Sequence, residues 1–390
     1  MRAWLAALWL AAAPACAQGT PIVIGAVLPE TGLLADLAAD MKKALVLWQE
    51  QRNADGGLLG RRVELRVLDD RSQASASRAL YTQLIGTEGA QLLVGPFGGA
   101  ATVAAAAAAE RSRHVLVSVT GASRGVHRRD TRYVFQVPAA SAQYGAGALE
   151  VARAMGYRRL HIVARNDPAA RESATRLAEM AIRLGLEPGE AHAVSPGARD
   201  YAAQVAAARA RDAEAWIAFG LAEDAAEMVK SFKRVGYAPR LFLAQGAAEP
   251  RFLQFVGQDA EFALGLAAYD TRFATRGNAA FVQAWRKRWT GEPGALAATA
   301  YGAALVLEEA VRKAGGLEQE GLREALAALD TETPLGRYRV DAMGAQVGAR
   351  PAVVQILDGR RELVWPPALA TAQWRLPYPR WDERRVHATQ

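Results

Sequence analysis

Residues 22–28 read Ile22-Val23-Ile24-Gly25-Ala26-Val27-Leu28, and Pro29-Glu30-Thr31-Gly32 follows at once. An apolar run this short, closed by turn residues, predicts a strand buried on both faces. The pattern recurs as far as Ser123. Val63–Leu68 runs into Asp69-Asp70, Leu92–Val94 into Gly95-Pro96 and Gly98-Gly99, and Val115–Val119 into Gly121. Helical spacings fill the gaps. Leu37, Met41, Leu45 and Trp48 form one stripe, Leu80, Leu84 and Ile85 another, and Ala100–Ser112 is rich in alanine. Strands alternating with helices predict a parallel sheet covered on both faces. Such sheets bind ligands beyond the carboxyl ends of their strands. There this chain places Pro29–Gly32, Gly95–Gly99 and Thr120–Ser123.

Working outward, Tyr133–Val137 predicts one more strand before Pro138, where the chain crosses to a second domain. The alternation then restarts with strands at Leu160–Ala164, Trp216–Phe219, Leu241–Ala244 and Ala263–Leu266, and a helix at Glu223–Val235. Beyond Tyr269-Asp270 the pattern turns helical, over Asn278–Trp289, Ala295–Ala314 and Leu317–Leu329. Val353–Leu357 and Glu362–Trp365 flank Asp358-Gly359-Arg360-Arg361, a hairpin signal. Pro366–Gln390 predicts an extended strap with a loose end. A length of 390 residues also favours two domains over one core. The expectation is an α/β protein of two Rossmann-like lobes with a cleft between them, closing by hinge motion. Its boundaries are 1–17 for a signal peptide, 18–138 and 268–349 for lobe I, 139–267 and 350–365 for lobe II, and 366–390 for the extension.

Met1-Arg2, the apolar stretch Ala3–Ala13 and Ala15-Cys16-Ala17 read as a secretory signal cut before Gln18. A lipid anchor on Cys16 is the rival reading, with Ala13-Pro14 a poor lipobox. Cys16 is the only cysteine, so cleavage leaves none for disulfides, thiol chemistry or metal binding. The 51% hydrophobic and 22% charged composition is that of a soluble globular protein. The net charge of +7 comes from scattered arginines, and no nucleic-acid motif accompanies it.

Candidate chemistry is sparse. Gly95–Gly99 lacks the Lys-Ser/Thr ending of a phosphate-cradling loop. It reads instead as a tight turn into a helix or as cleft-lining backbone. Asp69-Asp70 reads as a pair of turn or capping residues. The five histidines show no metal-ligand spacing, and His161 falls inside an apolar strand. Ser118 and Ser123 have no nucleophile elbow around them. Arg124 is a loop charge or a partner for a second ligand carboxylate, and Trp285 and Trp289 make a core stripe. No enzyme activity, cofactor or metal is expected.

The order and spacing of Ile22-Val23-Ile24-Gly25, Pro29-Glu30-Thr31-Gly32, Asn53-Ala54-Asp55-Gly56-Gly57-Leu58-Leu59-Gly60-Arg61, Asp69-Asp70, Val94-Gly95-Pro96 and Gly236-Tyr237 resemble the branched-chain-amino-acid type of periplasmic binding protein. These are the type I substrate-binding proteins of ABC importers, and the resemblance covers most of residues 20–365. It implies a three-strand hinge, a small ligand in the cleft, delivery to a membrane permease, and a monomer without nucleic-acid partners. A periplasmic sensor acting on a receptor or regulator is the alternative. The resemblance places the ligand against Leu37, Phe97, Gly98, Gly99, Thr120, Gly121, Ala122 and Ser123 in lobe I, and against Ala169, Leu221 and Gln245 in lobe II. Tyr269 sits at the second crossing, for hinge packing or ligand contact. Backbone amides near a helix start suit a carboxylate. The departures concern the rest of the ligand. Aromatic positions of the family fall on Leu37, Ala169-Ala170 and Leu221, giving a dry wall. The acid that receives a ligand ammonium falls on Gln245 within Ala244-Gln245-Gly246-Ala247. The expected ligand is therefore a less polar carboxylate, aromatic among the options. If an amino acid binds, Glu249 or Glu30 must supply the missing charge.

Overall fold

No side chain of Ile22–Leu28 seeks water, so β1 (Ile22–Leu28) lies inside a sheet with six of its seven residues buried. The computed structural model describes residues 19–121 and 125–384. The signal segment, Cys16, Ala122, Ser123 and Arg124 fall outside the described residues.

The chain continues through α1 (Ala35–Ala54), β2 (Val63–Asp69), α2 (Ser77–Gly86), β3 (Leu92–Val94), α3 (Gly99–Ser112), β4 (Leu116–Ser118) and β5 (Val134–Gln136). These five strands form one parallel sheet in the order β2-β1-β3-β4-β5. The first crossing leads to α4 (Ser141–Tyr144), α5 (Ala146–Ala154), β6 (Leu160–Arg165), α6 (Pro168–Arg183), β7 (Ala191–Val194), α7 (Ala202–Ala210), β8 (Ala215–Phe219), α8 (Ala222–Arg234), β9 (Leu241–Ala244), α9 (Pro250–Val256) and β10 (Leu264–Ala267). The chain then returns through α10 (Asn278–Arg288), α11 (Ala295–Ala314), α12 (Gln319–Ala327) and a small hairpin of β11 (Thr331–Thr333) and β12 (Gly336–Tyr338). A third crossing delivers β13 (Ala352–Leu357) and β14 (Arg360–Trp365) to the second sheet, ordered β14-β13-β10-β9-β8-β6-β7. The molecule is thus two α/β lobes joined by three chain crossings, the second sheet parallel except at its β13–β14 edge, where β13 runs antiparallel to β10 and β14 to β13. In the turn between β13 and β14, Asp358 and Gly359 both have positive φ (53° and 70°), as a tight primed hairpin turn requires.

Two expectations shift. In α1 the buried stripe is Ala38, Met41, Leu45 and Trp48, whereas Leu37 is 56% exposed, because the helix presents position 38 to the sheet. The small edge strand β7 escapes periodicity because only Val194 of its four residues is buried. The strap after Pro366 opens with a 3-10 turn at Pro367–Leu369, then runs without regular structure to a turn at 381–384, and docks on lobe II as far as it is described. Tyr378 is buried against Phe242, Trp381 Nε1 donates to the Tyr237 carbonyl, and the Arg384 guanidinium covers both rings.

Candidate functional site

Two glycines shape the loop after β3. Gly95 has φ 104°, and a Cβ there would lie 2.8 Å from the Tyr81 hydroxyl, which donates to the Val94 carbonyl. Gly98 precedes α3 with φ 96°, a conformation few other residues adopt. No side chain caps this helix start, and Gly99 and Ala100 are exposed. The first amides of α3 therefore face outward, positioned to meet an anion.

The Thr120 hydroxyl ties this loop to the one after β4. It donates to the Pro96 carbonyl at 2.7 Å and accepts from the Gly98 N–H at 2.8 Å. Thr102, on α3, sits 3.3 Å from the Thr120 hydroxyl and donates to the Gly98 carbonyl. Gly121 closes the cluster with φ 75°, since a Cβ would meet Thr102 at 2.6 Å. Phe97 is half-buried against the lobe I core. The structure thus gathers Phe97, Gly98, Gly99, Thr120 and Gly121 into one unit. Thr102 completes it, and the only sequence signal for Thr102 is a hydroxyl residue four positions after Gly98 in an alanine-rich helix.

The first loop is organised by Asp69. Its carboxylate accepts from the amides of Glu30 (2.9 Å), Thr31 (3.2 Å) and Arg71 (2.8 Å) and from the Thr31 hydroxyl (2.6 Å). Burial pushes this carboxyl upward, but those donors prevail and hold its pKa at about 2. Ser72 adds a second tie, donating to the Thr31 carbonyl and accepting from the Leu34 N–H. Leu37 lies one turn beyond Leu33, and both are exposed.

In lobe II, Leu221 and Gln245 stand side by side, because Gly246 lets the two loops touch. A Cβ on Gly246 would lie 2.1 Å from the Leu221 carbonyl carbon. Ala169 is exposed at the start of α6, where Asp167 caps the helix by accepting from the Ala170 N–H. Charge flanks the Leu221 wall, which is less dry than expected. Arg165 pairs with Asp224 and Asp167, each at 3.3 Å, and Glu223 pairs with Arg251. The buried Asp224 also accepts from the Leu221 N–H at 2.9 Å. Burial pushes the Glu249 carboxyl up, and the nearby Glu223 adds to this. Sequence reasoning passed over Arg165, Glu223 and Asp224 because they read as ordinary strand-end and helix-start residues.

Tyr269 stands apart from both loop clusters. Its ring packs on Phe273 and Phe281, and its hydroxyl donates to Asn278 Oδ1 at 2.7 Å inside the core. Beside Thr120 opens a cavity of about 220 Å³. Its walls include Thr120 and Gly121, Tyr144 from the second lobe, Leu296 from α11, and segments of all three crossings at Ala139, Ala268 and Pro351. Among the described residues no group of three or more His, Cys, Asp or Glu side chains could hold a metal ion, and no helix is long and apolar enough to cross a membrane.

Comparisons with known proteins agree with this architecture. A Leu/Ile/Val-binding protein homolog of Brucella abortus is 25% identical, over 96% of this chain and 98% of its own length. The crystal structure of a putative branched-chain amino acid ABC transporter from Silicibacter pomeroyi superposes with a TM-score of 0.82, at 20% identity, covering 92% of this chain and 99% of that one. An R. palustris ABC transporter solute-binding protein, solved in complex with 4-hydroxybenzoate, gives 0.72 at 17% identity, covering 93% and 99%. At these identities the two structures speak for the fold alone. Residues 21–361, however, match the family described as periplasmic binding protein, so the chain belongs to that family and is a binding protein rather than an enzyme.

Proposed function

We propose that this protein is the solute-binding component of an ABC importer and that its ligand is a small carboxylate without a cationic amino group, a monocyclic aromatic acid being the best fit. The observation that carries the reading lies after β9. Gln245 is neutral, and the carboxylates nearest that wall are already engaged, Asp224 by Arg165 and Glu223 by Arg251. Burial pushes the remaining one, Glu249, toward its neutral form. An α-ammonium brought here would find only the half-buried Glu249 as a charged partner, whose ionised form burial disfavours, so its charge-assisted contact would be weakened. A carboxylate keeps a suitable partner in the uncapped start of α3 around Gly99.

In this reading the chain is exported by residues 1–17 and acts as a monomer in the periplasm. Residues 18–138 and 268–349 close on residues 139–267 and 350–365 about the three crossings, and the closed form delivers its ligand to a membrane permease. The test is calorimetry on the chain starting at Gln18. Benzoate and 4-hydroxybenzoate should bind and leucine should not. Leucine binding at micromolar affinity, with no binding of the aromatic acids, would overturn the reading.

A further inference from the structure

Strands β1–β5 run parallel, so all five start at one pole of lobe I, and the glycine-rich loops lie at the opposite end. The starting pole is rich in arginine. Arg111 and Arg113 stand at the end of α3, Arg129 and Arg132 precede β5, and Arg62 precedes β2; all five residues are exposed. Among the described residues none of the five forms an ion pair. Three acids beside them are engaged. Glu110 accepts from the N–H groups of Arg132 (2.8 Å) and Tyr133 (2.6 Å), and Asp130 pairs with Arg128 at 3.6 Å. Glu320 accepts from the Tyr133 hydroxyl at 2.7 Å and pairs with Arg323. These bonds draw the end of α3, the start of β5 and α12 together, so Arg111, Arg113 and Arg132 form one cluster.

A cation at the end of a helix is favoured by the helix dipole. That suffices for Arg111, but it does not require an arginine at the next position but one. Arg113 has φ 50°, the left-handed conformation that glycine or asparagine usually supplies at a helix end. Fold stability alone would favour either of those residues there.

The order of the chain says what meets this pole. Residues 1–17 read as a leader, which the membrane holds during export. The described chain begins at the same pole, where the Thr20 carbonyl accepts from Arg61 Nε at 2.7 Å. From β1 to β5 is three strand spacings, about 15 Å. The arginine cluster therefore emerges beside the bilayer.

We propose that this pole is a docking surface for an anionic phospholipid bilayer and keeps the exported chain close to the membrane. The inference rests on export as proposed above, and not on the ligand class. Exposed guanidinium groups pair with lipid phosphates, a geometry for which their planar fork is suited. The cleft, at the other ends of the same strands, stays clear of the bilayer and open to its ligand.

The test is cosedimentation of the chain starting at Gln18 with vesicles of phosphatidylcholine alone or mixed with phosphatidylglycerol. A basic residue near an anionic bilayer strengthens partitioning by about fivefold. The native chain should bind the mixed vesicles, leave them at high salt, and ignore the neutral ones. The triple variant Arg111→Gln, Arg113→Asn, Arg132→Gln should bind about a hundredfold more weakly and still be folded by circular dichroism. Arg113→Asn alone should bind about fivefold more weakly while melting no lower than the native chain, which a merely structural arginine would not do. The exposed Arg153, Arg183 and Arg240 of lobe II provide the control, since replacing all three by glutamine removes the same charge and should leave binding unchanged. If the native chain ignores the mixed vesicles, or if the lobe II variant loses as much binding as the pole variant, the pole is not a membrane dock. Calorimetry with benzoate on the same samples tests the ligand class separately.

Discussion

Replacing Thr120 by valine removes one hydroxyl and keeps the shape of the side chain. That hydroxyl satisfies two backbone groups of the neighbouring loop, the Pro96 carbonyl at 2.7 Å and the Gly98 N–H at 2.8 Å. Pro96 is buried and Gly98 half-buried, so water is a poor substitute. Net loss of a hydrogen bond costs about 1 kcal/mol, and stranding a buried partner raises this. Two bonds give about 2–3 kcal/mol. In a domain the size of one lobe, 1 kcal/mol moves the melting temperature by about 2–4 °C, so Thr120→Val should melt roughly 4–12 °C lower, and Thr120→Ser close to the native chain. The resemblance to known binding proteins assigns this hydroxyl to the ligand, but the structure gives its proton to Pro96. Benzoate affinity should therefore fall in Thr120→Val through a loosened loop, and Thr120→Ser should restore it. The assay is melting by circular dichroism with calorimetry on the same samples. A Thr120→Val protein that melts with the native chain but no longer binds benzoate would refute the argument, since the hydroxyl would then serve the ligand and not the loop.

Other perturbations probe the scaffold. His161 is buried between His192 (ring centroids 4.7 Å apart) and Trp216 (4.5 Å), with no partner for either ring nitrogen. Burial first, then His192 and Arg211, lower its pKa from 6.5 to about 3. Below pH 6.5 the unfolded chain takes up a proton that the folded chain refuses. Stability is thus intact above that pH and falls as pH drops toward 3, by about 2 kcal/mol at pH 5. Urea unfolding at pH 7 and pH 5 should show this difference, and His161→Phe should remove most of it; an equal difference in both proteins would count against it. Glu308, 4% exposed, accepts from Trp48 Nε1 at 2.9 Å and pairs with Arg52 at 3.1 Å and Arg312 at 2.7 Å. Glu308→Ala strands these groups between α1 and α11 and should lower the unfolding free energy by about 3 kcal/mol or more in urea titrations. Gly246→Ala puts a Cβ 2.1 Å from the Leu221 backbone, which cannot retreat as a flexible side chain would. It should cost about 1–3 kcal/mol by urea unfolding, and it should shift amide resonances of Leu221 and Gln245 while leaving those around Gly98 in place.

Much of the architecture was legible because it is local. Ile22–Leu28 holds no polar side chain, so it had to be a central strand whatever its neighbours. Glycines fell at strand ends because backbone with positive φ, as at Gly95 and Gly98, excludes most other residues. Asp358-Gly359 announced its hairpin for the same reason. Leu37 was misplaced in the buried stripe because Leu37 and Ala38 are both apolar, and only packing against the sheet chooses between them. The tail was legible as a strap, but its docking was not, since Tyr378 meets Phe242 across a long loop of chain.

The sequence by itself determined two α/β lobes, the strand ends where small residues gather, and the absence of an acid at Gln245. These follow from side-chain chemistry and short-range periodicity. Tertiary structure alone decided which polar groups remain free for a ligand. It gave the Thr120 proton to Pro96, Asp224 to Arg165 and the Tyr269 hydroxyl to Asn278. It also set Ala139, Ala268, Leu296 and Pro351 around one cavity. A hydroxyl or carboxylate has the same chemistry in every sequence context. Whether it is spent on the scaffold or left for a ligand depends on groups brought close only by folding.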